Sequence, residues 1–393
     1  MKTLVNIFDP TEPLAAYLFL KEYYEEGDRI LFVSAHDQRT SVAPYAALLR
    51  LPDADIRTIT FKRSAETYIY EHICRRLNGA LSHNEDYWVN LAGGTRYTVL
   101  AVQRVFARFG AKFFYVQTRE NLVVSSVFDD SIYDNDDVVT PIRYRMTLAE
   151  YMTLHGLQHD IHHHSHKPRR SESEAQRIFD CFRRRDLPGE AFEAINLLRL
   201  NYRGMRRPVT LDEIHSGGRG RREAVPAVRT LLRQFGFVTQ KPDILLPEEV
   251  DYLTGGWFEE YVYYLILRLV HPQQIGIGVR ISRPGTPHNN ELDVVFIKAN
   301  TLFVVECKTG IQTDHIFNEV VYKCTALNEM LLGPSSHSYI FTLKNDRDGR
   351  LSRVAASMGI TLCDKGVLAD KHRVDTVCQR MIQISNPSSL PQF

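Results

Sequence analysis

The stretch ELDVVFIKANTLFVVECKTG, residues 291–310, decides the fold of the C-terminal part of this chain. Two runs of Val, Phe, Ile and Leu flank the polar segment KAN, and such runs bounded by turn residues are typical of buried β-strands. Charged side chains nevertheless stand among them, at Asp293, Glu306 and Lys308. Burying an unpaired charge costs several kcal/mol, so we expect these residues to be paired or to bind a metal ion.

A hairpin centred between Ala299 and Asn300 pairs residues whose numbers sum to 599, which places Asp293 opposite Glu306. Two opposed carboxylates repel each other unless a cation lies between them, and Lys308 shares the face of Glu306. Such a face can hold magnesium or manganese, and metal-assisted hydrolysis of a phosphodiester fits these parts. The alternative is a strand pair with a salt bridge, and a register slip of one residue would send Asp293 to the other face.

The surrounding segments predict an α/β unit over residues 251–393. DYLTGGWFEEYVYYLILRLV has the pattern of an apolar helix, and QIGIGVRISR that of a strand before the hairpin. After the hairpin, DHIFNEVVYKCTALNEMLLG predicts a helix, SHSYIFTL a strand, RLSRVAASMGI a helix and TLCDKG the last strand. The order helix, three strands, helix, strand predicts an α/β sandwich.

Residues 1–150 form a separate predicted domain. Strand and helix patterns alternate over residues 1–130, which predicts a parallel sheet covered on both faces. The turns FDPTEP, SAHDQRT and NLAGGTR follow predicted strands, and ligands bind at this carboxyl edge in open α/β sheets. Gly93 and Gly94 would let a ligand approach the backbone, and Thr95 could bind phosphate, although such a turn is also ordinary in a strand-to-helix connection.

The middle of the chain predicts a linker followed by a helical module. Residues 151–175 include the run HDIHHHSHKPRRSESE, which is typical of a linker or a weakly ordered crossing segment. Its histidines could bind zinc, but the sequence supplies no second set of ligands in a fixed position. Residues 176–250 predict two helices, a short helix between them and a small wing, in the order of a winged helix. This module either contacts nucleic acid through a recognition helix or serves packing and dimerisation.

Composition and charge restrict the class of protein. The 393 residues suffice for two or three domains, with no signal-peptide pattern in MKTLVNIFDP and no apolar run long enough to cross a membrane. Six scattered cysteines without CxxC spacing predict reduced thiols and a cytoplasmic location. Residues 167–241 hold 17 Lys and Arg against 9 Asp and Glu, so this basic segment either meets phosphates or presents solvated helix faces.

An Asp followed by Glu-x-Lys on the next strand, after a helix that carries Glu, resembles the PD-(D/E)xK nuclease core. The matching strand residues are Asp293, Glu306 and Lys308, and Phe258-Glu259-Glu260-Tyr261-Val262 resembles the Phe-Glu-x-x-Val of the family's helix. The resemblance implies that Glu259, Asp293 and Glu306 bind the metal, with Glu260 as the alternative to Glu259, and that Lys308 is catalytic. Leu292 stands where the family often has proline, and this departure removes no ligand.

An N-terminal domain with an N-x-x-GGT turn, joined to such a nuclease, resembles the CARF-domain nucleases of type III CRISPR systems over nearly the whole chain. The resemblance implies a homodimer that binds a cyclic oligoadenylate, in the first place cyclic tetra-adenylate, across its two-fold axis. It also implies that binding switches on cleavage of single-stranded DNA and RNA, or nicking of duplex DNA, with the helical middle as the lever between the domains. The ligand contacts carried over are Asp9, Thr11, Ser34, His36, Gly94, Thr95 and Arg96.

The expected fold class is thus α/β: a Rossmann-like CARF domain, a winged-helix-like middle and a C-terminal PD-(D/E)xK domain. Two alternatives to the ligand-activated nuclease stay open. One is a regulator that couples ligand sensing to DNA binding without nuclease activity, although the intact Asp293, Glu306 and Lys308 argue against it. The other is a restriction or repair nuclease that needs no small ligand.

Overall fold

The computed structural model describes most of the chain. The described residues are 1–9, 12–34, 42–51, 56–61, 70–125, 139–161, 166–184, 187–214, 225–286, 290–310, 314–328, 332–333 and 336–384. They form two mixed β-sheets, each covered by helices, and a helical module with a two-stranded sheet.

The N-terminal sheet has the strand order β3-β2-β1-β4-β5-β6-β7. Its strands are β1 Lys2–Ile7, β2 Arg29–Ser34, β3 Ile56–Thr60, β4 Asp86–Asn90, β5 Lys112–Gln117, β6 Leu122–Ser125 and β7 Val139–Pro141. Strands β1 to β5 are parallel, as their apolar runs predict, whereas β6 and β7 join the edge antiparallel and make the sheet mixed. Successive strands are added on one side of β1 up to β3 and on its other side from β4 onward. The loops after β1 and β4 therefore lie next to each other at the carboxyl edge of the sheet.

The C-terminal sheet has the strand order β15-β14-β13-β12-β11-β8. Its strands are β8 Gln158–His159, β11 Gln274–Ser282, β12 Asn290–Lys298, β13 Thr301–Lys308, β14 His337–Thr342 and β15 Thr361–Cys363. The predicted hairpin register is confirmed, because Val294 pairs with Val305 and Lys298 with Thr301. Ala299 and Asn300 both have positive φ, at 45° and 63°, as a two-residue type I′ turn requires.

Helices cover the sheets and build the module between them. They are α1 Leu14–Tyr23, α2 Ala43–Leu49, α3 Tyr70–Asn78, α4 Arg96–Ala107, α5 Leu148–Leu154, α6 Glu172–Arg184, α7 Gly189–Asn201, α8 Val225–Phe235, α9 Pro247–Asp251, α10 Trp257–Val270, α11 Asp314–Leu327, α12 Arg350–Ser357, α13 Lys365–Ala369 and α14 Lys371–Ile384. The sequence analysis did not anticipate α13 and α14. None of the helices in the described ranges is long and apolar enough to span a bilayer.

The helical module keeps the predicted order of helix, short helix, helix and wing, and α6 is an additional helix before them. After α6 and α7, strand β9 (Val209–Thr210) and the 3₁₀ turn Leu211–Glu213 precede α8, and β10 (Ile244–Leu245) pairs antiparallel with β9. The Thr210 side chain makes no capping bond to the 3₁₀ turn, and Glu213 accepts from Arg207 at 2.9 Å. The apolar core of the module, including Phe179 and Leu231, is continuous with that of α10.

The crossing segment differs from the weakly ordered linker that its polar composition predicts. Its described part contains the end of α5 and the start of α6, and β8 adds to the edge of the C-terminal sheet, where His159 pairs with Ile281. Strand β8 is only two residues long and carries no apolar alternation, so its pairing depends on a sheet edge formed more than one hundred residues later. Local patterns cannot reveal such a partner.

The two sheets share one buried apolar cluster. It combines Leu4 and Phe32 of the first sheet, Met152 of α5, and Val295 and Leu302 of the hairpin. The helical module does not enter this cluster in the described residues, and the N-terminal sheet packs directly against the hairpin.

A hydrogen-bonded joint fixes the hairpin turn against the N-terminal sheet. Asn300 is fully buried, and its Nδ2 donates to Asn121 Oδ1 at 2.8 Å and to the Tyr144 carbonyl at 2.9 Å. Its Oδ1 accepts from the Met146 amide at 2.8 Å. Asn121 lies in the turn between β5 and β6, so one turn of each sheet contacts the other.

Candidate active site and ligand-binding edge

The ends of β12 and β13 bring the three predicted charged residues together. Lys308 Nζ lies 2.6 Å from Glu306 Oε1 and 3.4 Å from Asp293 Oδ2. The Cys307 amide also donates to Asp293 Oδ2 at 2.7 Å. Asp293 is 9% exposed and Glu306 2%, so both carboxylates are buried and partnered, as the cost of burying a charge requires.

A second lysine, which the sequence analysis missed, binds the same carboxylate. Lys323 of α11 places its Nζ 3.0 Å and 3.2 Å from the two oxygens of Glu306. Its partner is 17 residues away on another element, so no local pattern links the two. Glu306 therefore accepts from two ammonium groups.

The helix before the strands directs its two glutamates to different places. Glu259 lines the same cavity as Asp293 and Glu306. Glu260 is buried elsewhere and accepts from the backbone amides of Arg169 and Arg170 at 2.7 Å and 3.1 Å. The π-helical turn Tyr252–Gly256 immediately before α10 sets the phase of this helix. The placement favours Glu259 over Glu260 as the helical member of the site.

Burial and neighbouring carboxylates raise the pKa of Glu259 and of Asp293 in this cavity. Burial, together with the charges of Asp293 and Glu291, raises the pKa of Glu259 to about 8. Burial and the neighbouring Glu306 raise the pKa of Asp293 to about 6. For Lys308, burial lowers the pKa, but Asp293 and Glu306 outweigh it and the net pKa is raised. The lysine is therefore an ammonium at neutral pH, which suits charge stabilisation better than proton abstraction.

The donor set fits a hard divalent cation. The carboxylates of Glu259, Glu291, Asp293 and Glu306 border one cavity, and the raised pKa values of Glu259 and Asp293 indicate a deficit of positive charge that such a cation would offset. Lysine ammonium groups now contact Asp293 and Glu306. Over the ranges that the structure describes, no three His, Cys, Asp or Glu side chains are already arranged as a metal site, so ion binding would require these side chains to shift.

The cavity around the carboxylates has a volume of about 510 Å³, and its residues come from the helical module, the start of α10, the hairpin and α11. Glu291 shares a strand face with Asp293, a signal that spacing of two along β12 could have revealed. Arg199 and Arg203 come from α7 and the turn after it, in the helical module. The sequence analysis named neither arginine, since nothing in the local pattern shows that this helix packs beside the hairpin.

At the carboxyl edge of the first sheet, the loops after β1 and β4 meet. The Gly94 amide donates to Asp9 Oδ2 at 3.2 Å. Gly93 and Gly94 have φ of 110° and 71°, and a Cβ on Gly94 would lie 2.4 Å from Ile7 Cγ2. These glycines are thus required by close packing against β1, a reason separate from the approach of a ligand.

The other ligand contacts expected from the resemblance are spread over this edge. Thr95 Oγ1 caps α4 by accepting from the Thr98 amide at 3.3 Å, and Arg96 is exposed in the first turn of the same helix. Ser34 ends β2 but is buried, so its side chain is not open to a ligand here. Thr11 and His36 lie outside the described residues.

The histidine-rich run contributes two described side chains, and both are used in packing. His159 Nδ1 accepts from the Ile161 amide at 3.3 Å. His166 lies within hydrogen-bonding distance of the Ile277 carbonyl, at 3.1 Å, and of the Asp160 carbonyl, at 2.9 Å. His162, His163 and His164 lie outside the described residues.

Comparison with known proteins matches both halves of the chain. The family profile described as the Card1 CARF domain matches residues 13–151. The profile described as the Card1-like endonuclease domain matches residues 247–370, which include Glu259, Asp293, Glu306 and Lys308. No curated protein matches the sequence.

Solved structures share the fold at low sequence identity. Protein VC1899 from Vibrio cholerae superposes with a TM-score of 0.75 at 18% identity, covering 98% of this chain and 99% of that one. Can2 from Sulfobacillus thermosulfidooxidans, in complex with cyclic tetra-adenylate, has a TM-score of 0.67 at 16% identity and coverage of 98% and 97%. A type III CRISPR defence DNA nuclease activated by cyclic oligoadenylate has a TM-score of 0.51 at 14% identity, covering 87% of this chain and 45% of its own.

Proposed function

The chain belongs to the CARF-domain nucleases, with a Card1 CARF domain and a Card1-like endonuclease domain, and from this premise we propose that it is a metal-dependent endonuclease activated by a cyclic oligoadenylate. Its place would be antiviral defence by type III CRISPR systems, in the cytoplasm. The activator we propose is cyclic tetra-adenylate, the ligand in the structure of the related Can2. The substrate is nucleic acid, either single-stranded DNA and RNA or duplex DNA that is nicked.

The observation that supports nuclease activity best is the grouping of Asp293, Glu306 and Lys308 at the ends of two paired strands, with Glu259 beside them. Strand ends hold side chains in fixed positions, because backbone pairing and register determine where each one points. In our proposal, Glu259, Asp293 and Glu306 hold magnesium or manganese. A bound ion of this kind would polarise the scissile phosphate and lower the pKa of an attacking water.

The lysines have separate roles in this proposal. Lys308 remains an ammonium and stabilises the negative charge that develops on the phosphate as the water attacks. Lys323 donates to both oxygens of Glu306 and thereby fixes the orientation of this carboxylate. The backbone amide of Cys307 does the same for Asp293. Oriented carboxylates bind an ion more tightly than mobile ones, since less freedom is lost on binding.

The activator would bind at the edge formed by the loops after β1 and β4. Asp9, Gly94, Thr95 and Arg96 border this edge, and we propose them with Thr11 and His36 as ligand contacts, whereas the buried Ser34 is no longer among them. A cyclic oligoadenylate with two-fold symmetry suits a homodimer with the ligand on its axis. Tyr97 and Leu100, which are 56% and 58% exposed on α4 next to Thr95, offer apolar surface to a second copy.

The alternative is a regulator that binds DNA through the winged-helix-like module and does not cut. The order of α7, α8 and the β9–β10 pair supports it, as does the basic charge of residues 167–241. Such a protein has no need of the carboxylate–lysine cluster, and burying these charges would lower its stability without serving its function.

A cleavage assay separates the two. The protein would be incubated with manganese or magnesium, cyclic tetra-adenylate, and labelled single-stranded DNA, single-stranded RNA or supercoiled plasmid. We expect cutting that requires the metal and is abolished by a chelator and by Glu306→Gln. If no substrate is cut although cyclic tetra-adenylate binds tightly, the nuclease assignment is wrong and the DNA-binding regulator gains support.

A further inference from the structure

The carboxylate cavity does not end at the nuclease hairpin. A second cavity, of about 580 Å³, adjoins it and shares Arg203, Glu259 and Glu291 with it. Lys167, Arg169 and Arg280 line this second cavity. The two cavities together form a groove that passes the carboxylates, and in its second half these basic side chains alternate with Asp160, Asp251 and Glu260.

The helical module supplies two arginines at the centre of this groove. Arg199 lies in the last turn of α7 and Arg203 just after its end, and both line the carboxylate cavity. Arg199 lies directly over the turn that follows Lys308, because a Cβ on Gly310 would be 2.5 Å from Arg199 Nη1. Its Nη2 donates to Asn196 Oδ1 at 2.9 Å, which orients the guanidinium.

Arg203 occupies the boundary between the two cavities. Its side chain is exposed, and within the described residues no hydrogen bond or ion pair holds the guanidinium. It lines the same cavity as Glu259 and Asp293 and therefore lies beside the carboxylate cluster. An arginine with unused donors beside a cluster of carboxylates is able to bind an anion that the cluster alone would repel.

From this placement we propose that Arg199 and Arg203 bind the sugar-phosphate backbone of the strand that is cut, next to the scissile phosphate. Glu259, Glu291, Asp293 and Glu306 make the cavity acidic, so a polynucleotide would be repelled from it without compensating cations. A guanidinium group can donate two parallel hydrogen bonds to the oxygens of one phosphate. Two such groups would hold the strand in position beside the carboxylates. Leu200, 79% exposed between the two arginines, offers apolar surface to a sugar or base.

This inference rests on the proposed nuclease function and gives the helical module a role in substrate binding. It also differs from the recognition-helix hypothesis, in which α8 and its exposed Arg233 would contact nucleic acid. The two arrangements place the substrate on different helices of the same module, so a comparison of arginine variants distinguishes them.

The test measures binding without cutting. A short fluorescent single-stranded DNA, and the RNA of the same sequence, would be titrated with Glu306→Gln protein over a series of salt concentrations, with cyclic tetra-adenylate present. Arg199→Ala and Arg203→Ala, each added to this protein, should weaken binding about tenfold. Each should also reduce the slope of log K against log salt by about 0.7, the value for one lost phosphate contact to a single strand.

The matched control is Arg233→Ala, which removes an exposed arginine from α8. It should leave affinity and slope unchanged, and thermal unfolding of all variants checks that the fold is kept. Arg203→Lys should retain the salt slope but lose part of the affinity, since lysine keeps the charge without the paired donors.

Two results would overturn the inference: unchanged affinity and slope for Arg199→Ala and Arg203→Ala, or a loss of both for Arg233→Ala instead. Failure of the proposed function would look different, because the unmodified protein would then bind without cutting in the cleavage assay. If the unmodified protein cuts while the arginine variants bind as it does, the inference alone is wrong.

Discussion

The nuclease site and the ligand-binding edge lie in the same chain but are built differently. The nuclease residues lie near the ends of paired strands, where register fixes each side chain, and Lys308 contacts both Asp293 and Glu306. The ligand-binding edge consists of loops after parallel strands, where Asp9 and Gly94 meet through one hydrogen bond. A site on strands depends on a few side chains, whereas a site on loops depends on the backbone shape that presents them.

If this contrast is correct, the largest effect comes from a single carboxylate of the strand site. Glu306→Gln should lower the cleavage rate on the order of a thousandfold, because it removes a charge from the metal-binding set. Binding of cyclic tetra-adenylate, measured by calorimetry, should not change. Asp364→Asn is a suitable comparison, since Asp364 caps α13 away from the cavity and its loss should affect stability rather than cleavage. Weakened ligand binding by Glu306→Gln would contradict the separation of the two sites.

The next effect concerns the joint where the two regions meet. Asn300→Gly keeps the positive φ but removes the bonds to Asn121, Tyr144 and Met146, leaving buried partners unpaired. We expect it to lower the free energy of unfolding by about 3 kcal/mol in urea denaturation and to reduce activation by the ligand.

The neighbouring turn residue provides the control for this prediction. Ala299→Gly relieves a φ of 45° without removing a side-chain hydrogen bond, so it should be neutral or slightly stabilising. Equal behaviour of Ala299→Gly and Asn300→Gly would show that the buried amide of Asn300 does not hold the two sheets together.

A smaller effect is expected at the loop site, through its backbone. Gly94→Ala forces a Cβ to within 2.4 Å of Ile7 Cγ2 at a φ of 71°, which should cost about 2 kcal/mol and displace the turn. The concentration of cyclic tetra-adenylate that gives half-maximal activation should rise about tenfold. Gly110→Ala has nearly the same φ, 69°, but no atom within 4 Å of the added Cβ, so it isolates the packing effect. The same loss of activation for both variants would disprove the role of the close contact with β1.

The smallest effect should come from Lys323, which supports the strand site from a helix. Lys323→Met removes the ammonium group that contacts both oxygens of Glu306. Its side chain is 41% exposed, so water can partly replace it, and we expect a decrease in cleavage rate of about fivefold to tenfold. Tyr322→Phe changes the exposed neighbour and should leave the rate unchanged. A loss as large as that of Glu306→Gln would place Lys323 among the catalytic groups.

The same contrast explains how much the sequence could predict. The hairpin and its register followed from two apolar runs and a two-residue turn, since alternation and turn length leave little freedom. The grouping of Asp293, Glu306 and Lys308 followed from that register. The parallel order of β1 to β5 followed from alternating strand and helix patterns.

The remaining features depend on contacts between distant parts of the chain. Lys323 and Arg203 reach the cavity from other elements, and β8 pairs with an edge that forms far along the sequence. The expectation that the helical middle is the lever between the domains was likewise made from the sequence without these long-range contacts. In the described residues, the hairpin turn at Asn300 contacts the first sheet directly.

The most direct test of the whole account is the cleavage rate of labelled single-stranded DNA with manganese, measured on one preparation with and without cyclic tetra-adenylate. The account predicts little cutting without the ligand and a rate at least about a hundredfold higher with it, because activation requires a substantial difference in ligand affinity between the inactive and active states. Equal rates in the two conditions would contradict it, since the edge formed by Asp9 and Gly94 would then not control the site formed by Asp293 and Glu306.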